Sequence, residues 1–275
     1  MGYAMIEFEK IKAFLFDLDG CIYYGDAPAP GARELLAALE QDGIRTFFLS
    51  NNSTHTASDI CGKLRAMGLP AAPEQVVSVT DLAGHYIRRY YGNPLVKVIG
   101  SPHLQAAVAK SELACLPYDA DTRADLILIG RDIHFSYEKL RHIAEDAMNG
   151  AAVVAANPDP YHLGTGGRIV PETGAIAASL EAILRVKVPY IGKPAPFLFQ
   201  YVTEKYGLSG NECVMVGDNP ATDIAGGAGA GLHTVWIRDA NNRFSLDDVA
   251  ADLAPDCIVS SLHQLLELYR RHTNP

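Results

Sequence analysis

The sequence predicts an α/β chain: a doubly wound parallel sheet into which a second, smaller α/β domain is inserted. Three observations predict this. Short apolar runs of strand length alternate with longer runs of helical period along the chain, the pattern of βαβ units and a parallel sheet. The middle, roughly residues 80–178, repeats that alternation with enough material for a domain of its own. The apolar runs on both sides of it finish in the same style of polar terminus.

The elements follow in order. "KAFLF" (12–16) reads as a buried strand. "PGARELLAALEQDG" (30–43) reads as a helix, with Pro30 at its start, Leu35, Leu36 and Leu39 on one face and Gly43 at its end. "IRTFFL" (44–49) is a second strand and "ASDICGKLRAMG" (57–68) a second helix. In the middle, "LVKVIG" (95–100), "DLILIG" (125–130) and "AAVVAAN" (151–157) read as strands, with helices around 102–111 and 136–149. Toward the end, "ECVMVG" (212–217) is a strand, followed by a helix of small residues and the strands "HTVWI" (233–237) and "CIV" (257–259).

Bulk composition narrows the function classes. Of 275 residues, 48% are hydrophobic and 20% charged, the profile of an ordinary globular chain. The net charge of −9 argues against nucleic acid and anionic membrane as partners. Five scattered cysteines without a CxxC pair imply neither a zinc site nor a disulfide framework, and a reducing compartment fits them best. No signal-peptide core and no membrane-length apolar run is present. The expected location is the cytoplasm.

Open parallel sheets bind ligands at the carboxyl ends of their strands. After the first strand come Asp17, Asp19 and Gly20, and after the second Ser50, Asn51, Asn52 and Ser53. After "VMVG" come Asp218 and Asn219, with Asp223 five residues beyond Asp218, and Lys193 stands between Gly192 and Pro194. In an extended chain residues i and i+2 point the same way, so Asp17 and Asp19 are expected to aim at one spot. Clustered carboxylates are tolerable around a divalent cation, and a hard-oxygen site with few protein ligands suits Mg²⁺. A phosphate would complete the metal's shell, held by Ser50, the backbone N–H groups after it and Lys193. One carboxylate then attacks phosphorus and the other handles the leaving-group proton.

The segments "DLDG", "LSNNS", "GKP" and "GDNPATD" resemble, in order, the four motifs of the haloacid-dehalogenase superfamily. "DGCIYYGDAPAPGA" and "NPDPYHLGTGGRIVPETGAIAASLE" resemble its subclass IIA, NagD-like, with an α/β cap between the second and third motifs. The resemblance covers about 12–260. It implies a Rossmann-like catalytic core over 1–79 plus 179–275, a cap over 80–178 and a homodimer formed through that cap. It implies a Mg²⁺-dependent phosphomonoester hydrolase that acts on a small phosphorylated metabolite, of nucleotide, sugar phosphate, phosphoglycolate or pyridoxal phosphate type. The alternatives are a non-catalytic phosphate-binding relative and a phosphomutase.

Residue by residue, the resemblance makes Asp17 the nucleophile and a metal ligand, and Asp19 the general acid/base with its carbonyl on the metal. Ser50 and Lys193 become phosphate binders, with Asn51 and Asn52 beside them; Asp218 becomes the third metal ligand and Asp223 the outer-shell carboxylate. In the cap, Arg131 and His162 are the candidate substrate contacts. Arg131 stands where the pyridoxal-phosphate subgroup has an aromatic residue, which favours a second anionic group as its partner. Competing plain readings make Ser53 a helix cap, Cys21 a packing residue, and "GGAGAG" (226–231) close helix packing, since no strand leads into it as a dinucleotide fingerprint requires.

Overall fold

The computed structural model describes residues 6–238 and 254–273. The first five residues, on which the reading of a leaderless start partly rests, lie outside it. No described helix is long and apolar enough to cross a membrane. In chain order the elements are β1 (Ala13–Phe16), β2 (Tyr23–Tyr24), β3 (Ala27–Pro28), α1 (Ala32–Gln41), β4 (Arg45–Ser50), α2 (Ala57–Ala66), β5 (Val76–Ser78) and α3 (Val79–Tyr91). There follow β6 (Val96–Ile99), α4 (Pro102–Lys110), β7 (Cys115–Leu116), β8 (Leu126–Ile129), α5 (Tyr137–Met148), β9 (Ala152–Ala155), β10 (Tyr161–Leu163), β11 (Ile169–Pro171) and α6 (Thr173–Leu184). The chain closes with α7 (Phe197–Tyr206), β12 (Cys213–Gly217), α8 (Ala225–Gly229), β13 (His233–Ile237), β14 (Cys257–Val259) and α9 (Leu262–Thr273).

These elements form two compact units. One comprises Met1–Ser50, Ser58–Val77 and Lys193–Pro275; the other comprises Asn51–Ala57 and Ser78–Gly192. Sequence reading set the second boundary at 178/179, which cuts α6 in two. The structure sets it at 192/193, because Ile176 and Leu180 of α6 belong to the same buried cluster as Ile127 and Ile129 of β8.

The first unit is built on a six-stranded sheet ordered β14-β13-β12-β1-β4-β5. The pairings from β14 to β4 are parallel. All of β1 is buried, and Phe14 and Phe16, two residues apart on one face, stack with ring centroids 5.8 Å apart. Leu35, Leu36 and Leu39 of α1 are buried, as their spacing predicts. The chain runs outward from β1 to β4 and β5, then returns to β12 on the other side of β1. The β1/β12 boundary is therefore the topological switch point, outside whose carboxyl ends such sheets bind ligands.

The second unit has a four-stranded parallel sheet ordered β7-β6-β8-β9 and an antiparallel hairpin, β10 with β11. Every residue of β8 is buried, the mark of a parallel strand covered on both faces. Ser78, Ser101 and Ser136 cap α3, α4 and α5 by accepting the N–H three residues on. An internal ion pair, Lys97 Nζ to Asp146 at 2.8 Å, has side chains only 2% and 9% exposed. Lys97→Met strands that carboxylate and should cost about 3–5 kcal/mol of stability, the range for breaking a buried pair. The check is the urea midpoint; the Lys97→Met, Asp146→Leu double variant should recover most of the loss.

The segment Asn51–Ala57 is fastened within the second unit. Four successive carbonyls each accept a side-chain donor: Asn51 O from Asn157 Nδ2 (2.6 Å), Asn52 O from Thr80 Oγ1 (2.9 Å), Ser53 O from Ser101 Oγ (2.9 Å) and Thr54 O from the His103 ring Nδ1–H (2.8 Å). A loop without neighbours to pair with leaves such groups to water; here tertiary donors satisfy each one.

Candidate active site

Asp17 is the first residue past β1, and its N–H donates to Val216 O of β12 at 2.9 Å. Asp218 is the first residue past β12, and its carbonyl accepts the Trp236 indole N–H at 2.9 Å, which ties the strand end to β13. The two carboxylates thus stand side by side at the switch point. The short π-helical turn Pro220–Ile224 then brings back Asp223, whose Oδ2 accepts the Asn219 N–H at 3.1 Å. Asp17, Asp218 and Asp223 each present an oxygen within 4.8 Å of the others, an arrangement able to hold a metal ion.

Two glycines make this approach feasible. A Cβ on Gly217 would lie 2.2 Å from Asp223 Oδ2. Gly20 has φ +87°, a conformation that favours glycine, and a Cβ there would lie 2.4 Å from Asp218 Oδ2. The glycine of "DLDG" is therefore a requirement of the acidic cluster as well as of the turn.

Lys193, 2% exposed, supplies the cation. Its Nζ donates to Asp17 Oδ1 at 2.5 Å and to Asp223 Oδ1 at 2.7 Å. Burial works against its charge, but the Asp17 and Asp223 carboxylates overcome this and hold the ammonium above lysine's ordinary value. Three carboxylates still outnumber one ammonium. Burial, reinforced by the charges of Asp17 and Asp223, pushes Asp218 well above the usual carboxylate range. Burial also raises Asp223, against the opposing pull of Lys193. The excess negative charge in a dry setting is what a divalent cation would compensate.

The other expected residues fall as follows. Ser50 is buried at the end of β4. Asp19 is exposed and is not among the three grouped carboxylates. Past Phe16 the chain turns: the N–H groups of Cys21, Ile22 and Tyr23 all meet Leu18 O, and Asp19 pairs with Tyr23 in an isolated parallel bridge. Cys21 is buried, its Sγ donates to Val216 O at 3.6 Å, and burial first, then Asp17, pushes its thiol well up; it packs and is no nucleophile. Gly226 and Gly227 lie where a Cβ would meet Phe199 and Met215 within 3 Å, the close packing expected of "GGAGAG".

In the second unit, Asn51 Nδ2 donates to Asp159 Oδ2 at 3.2 Å. Asn52 Oδ1 accepts from Thr54 N, Thr54 Oγ1 and His55 N, so its amide oxygen closes a local turn. Ser53 is no helix cap: its Oγ accepts the Arg131 N–H at 3.0 Å and lies 3.3 Å from Thr173 Oγ1. Arg131 and His162 come together on one residue that sequence reading missed, Glu172. Its Oε1 lies 3.4 Å from Arg131 Nη1 and 2.8 Å from His162 Nδ1. The only sequence signal for Glu172 is a carboxylate placed just before α6, a position that ordinarily reads as helix capping.

Residues 14–114 match a family described as haloacid dehalogenase-like hydrolase, and residues 190–265 one described as HAD-hydrolase-like. Over 244 residues the chain is 32% identical to the acid sugar phosphatase of Staphylococcus aureus (strain USA300), covering 88% of this chain and 91% of that protein. Among solved structures, 4-nitrophenylphosphatase from Thermotoga maritima matches with a TM-score of 0.85 at 27% identity, covering 95% of this chain and 98% of that one. NagD from E. coli K-12 matches with a TM-score of 0.82 at 27% identity, covering 92% and 98%.

Proposed function

Because the chain belongs to the haloacid dehalogenase-like hydrolase family, we propose that it is a Mg²⁺-dependent phosphomonoester hydrolase working through a phospho-Asp17 intermediate on small phosphorylated metabolites, sugar phosphates foremost. The observation that carries this reading is the cluster of Asp17, Asp218 and Asp223 around Lys193 at the carboxyl ends of β1 and β12.

The donor set fits the metal: three carboxylates, all hard oxygen, with no histidine or thiolate among them. Asp17, Asp218 and the Asp19 carbonyl would hold it, with Asp223 behind. A bound Mg²⁺ supplies charge neutralisation on the transferring phosphoryl group. The chain's own residues do the rest. Lys193 fixes Asp17 Oδ1, which orients the carboxylate for attack. An Asp17 oxygen forms a bond to phosphorus as the bond to the leaving oxygen breaks, and Asp19 gives that oxygen a proton. Asp19, now a carboxylate, takes a proton from water; the water oxygen attacks phosphorus and Asp17 is released with phosphate. Ser50 and Lys193 hold the equatorial oxygens throughout. The relatives' names support the substrate class: one is an acid sugar phosphatase and one a 4-nitrophenylphosphatase.

Chelator should abolish hydrolysis of a small aryl phosphate and Mg²⁺ should restore it; a chelator-resistant enzyme would sink the metal assignment. Thermal shifts give a readout independent of activity. Asp218 and Asp223 are raised by burial, so in the folded chain they bind protons that the unfolded chain releases. Their contribution to stability is therefore present below the ordinary carboxylate range and is lost as pH rises toward the folded values. Protons and Mg²⁺ compete for the same oxygens. The Mg²⁺-induced rise in Tm should be larger at mildly alkaline pH than at mildly acidic pH; equal shifts would place the ion elsewhere.

The same reading puts the enzyme in the cytoplasm as a homodimer formed through the second unit. The exposed apolar side chains of Met148, Ile183 and Val186 on that unit support the dimer. Sedimentation velocity of the parent and of Met148→Lys tests it.

A further inference from the structure

The chain first passes from the first unit to the second between Ser50 and Asn51, and it last returns between Gly192 and Lys193. The residues on the first-unit side, Ser50 and Lys193, are the two phosphate binders of the proposed reaction. The residues on the second-unit side are held by one short stretch, 155–159, where β9 ends. Ile191 N–H donates to Ala155 O at 3.0 Å and Gly192 N–H to Ala156 O at 2.9 Å. Asn157 Nδ2 donates to Asn51 O at 2.6 Å, and Asp159 Oδ2 accepts from Asn51 Nδ2 at 3.2 Å. All of these contacts lie inside the second unit.

The Asn157 amide is itself fixed. The residue is 2% exposed, and its Oδ1 accepts the Asp159 N–H at 3.1 Å, the i to i+2 bond of an Asx turn. With the oxygen committed there, Nδ2 is the end that meets Asn51 O. Pro158 stands between the two residues of the turn, its φ locked by the ring. Gly192 closes on the same segment: a Cβ there would lie 2.4 Å from Asn51 Oδ1 and 3.1 Å from Ala156 O. Asn51 is thus held at its carbonyl and at its side chain, with no room for a side chain at 192. Satisfying a loop carbonyl does not require this, because water can do so. What the arrangement secures is position. Each held residue is one peptide bond, about 3.8 Å between Cα atoms, from a phosphate binder. A misplacement of about 1 Å in such a group costs about 10²-fold in rate.

We propose that Asn157 is a positioning residue for phosphate binding: by fixing Asn51 it sets the place of Ser50, from the same strand end that fixes the chain before Lys193. This rests on the reading of the chain as a phosphomonoester hydrolase. It also gives Asn51, which the resemblance set beside the phosphate, the task of linking Ser50 to that strand end.

The test uses the full chain with Mg²⁺ and reads kcat and KM for a small aryl phosphate, the inhibition constant of inorganic phosphate, and Tm. Asn157→Asp is isosteric, keeps an acceptor for the Asp159 N–H and removes the donor to Asn51 O. It should lower kcat/KM about 10–100-fold and raise the phosphate inhibition constant about tenfold, the scale of a misplaced binding group. Ser101→Ala removes the donor to Ser53 O in the same segment; it should lower Tm while the phosphate constant stays within about threefold of the parent's, since it acts farther from Ser50. In a Ser50→Ala background, Asn157→Asp should cost less than about threefold more, because the group it positions is gone. If Asn157→Asp does not fold, Asn157→Ala, which removes the donor without adding a charge, is read in its place. Parental kcat/KM and phosphate constant with only Tm lowered, an equal rise in the phosphate constant for Ser101→Ala, or losses that multiply in the Ser50→Ala background would each overturn the proposal. Those outcomes leave the phosphatase reading standing. That reading fails separately, if aryl phosphate hydrolysis survives removal of the Asp17 carboxylate.

Discussion

Asp17→Asn should lower kcat at least ~10³-fold, the scale for losing a covalent nucleophile that works within a unit, while the protein stays folded. The exchange is nearly isosteric, and the amide oxygen can still accept from Lys193, which sits 2.5 Å from Asp17 Oδ1. It also removes one negative charge from a cluster in which three carboxylates face one ammonium. Without metal, the variant should therefore melt no lower than the parent. The measurements are kcat on a small aryl phosphate and Tm in chelator. Rapidly quenched parental enzyme should carry a phosphoryl group on the peptide containing Asp17. Near-parental turnover in the variant would remove Asp17 from the mechanism.

Lys193→Met should damage both activity and stability, because one buried ammonium serves two purposes. As a phosphate partner its loss should reduce kcat/KM by about 10²–10³-fold, the cost of deleting a preorganised charged donor. As the compensating charge its loss leaves Asp223, 1% exposed, buried beside Asp17 and Asp218 with no cation, at a cost of about 3–5 kcal/mol. Lys193 lowers Asp223 against the upward push of burial, so the variant's carboxylate moves higher still. A raised carboxylate loses its stabilising proton as pH rises, and the Tm gap between parent and variant should widen from mildly acidic to mildly alkaline pH. A gap that narrows, or activity within tenfold of the parent, would contradict the pairing as drawn.

The carboxylates at the ends of β1 and β12 were legible because parallel-sheet geometry converts strand ends into neighbours. Asp17 and Asp218 are 201 positions apart in sequence, yet β1 and β12 pair residue for residue up to Phe16 and Val216. Lys193 and Asp223 were legible as motif members. That they would bond each other was not, since it depends on a π-helical turn after Asn219. Glu172 and the hairpin β2–β3 were missed for two separate reasons. Each is defined by a partner distant in space or by two-residue strands too short to show a period. The expected boundary at 178/179 falls inside α6, a run of small and apolar residues that sequence reading did not pick out as a helix.

Engineers who exchange inserted domains between relatives treat an insert as one contiguous cassette, cut at its two ends. The row of side chains from Asn157, Thr80, Ser101 and His103 on the carbonyls of residues 51–54 makes that plan unsound for this chain. A donor cassette spanning 78–192 would arrive without the short strand of backbone its own side chains are built to grip, and would find a foreign one with different spacing. The transplantable piece is discontinuous: 51–57 must travel with 78–192. Hybrids made with both segments should express as folded protein, whereas hybrids made with the long segment alone should lose four hydrogen bonds at once and accumulate in inclusion bodies.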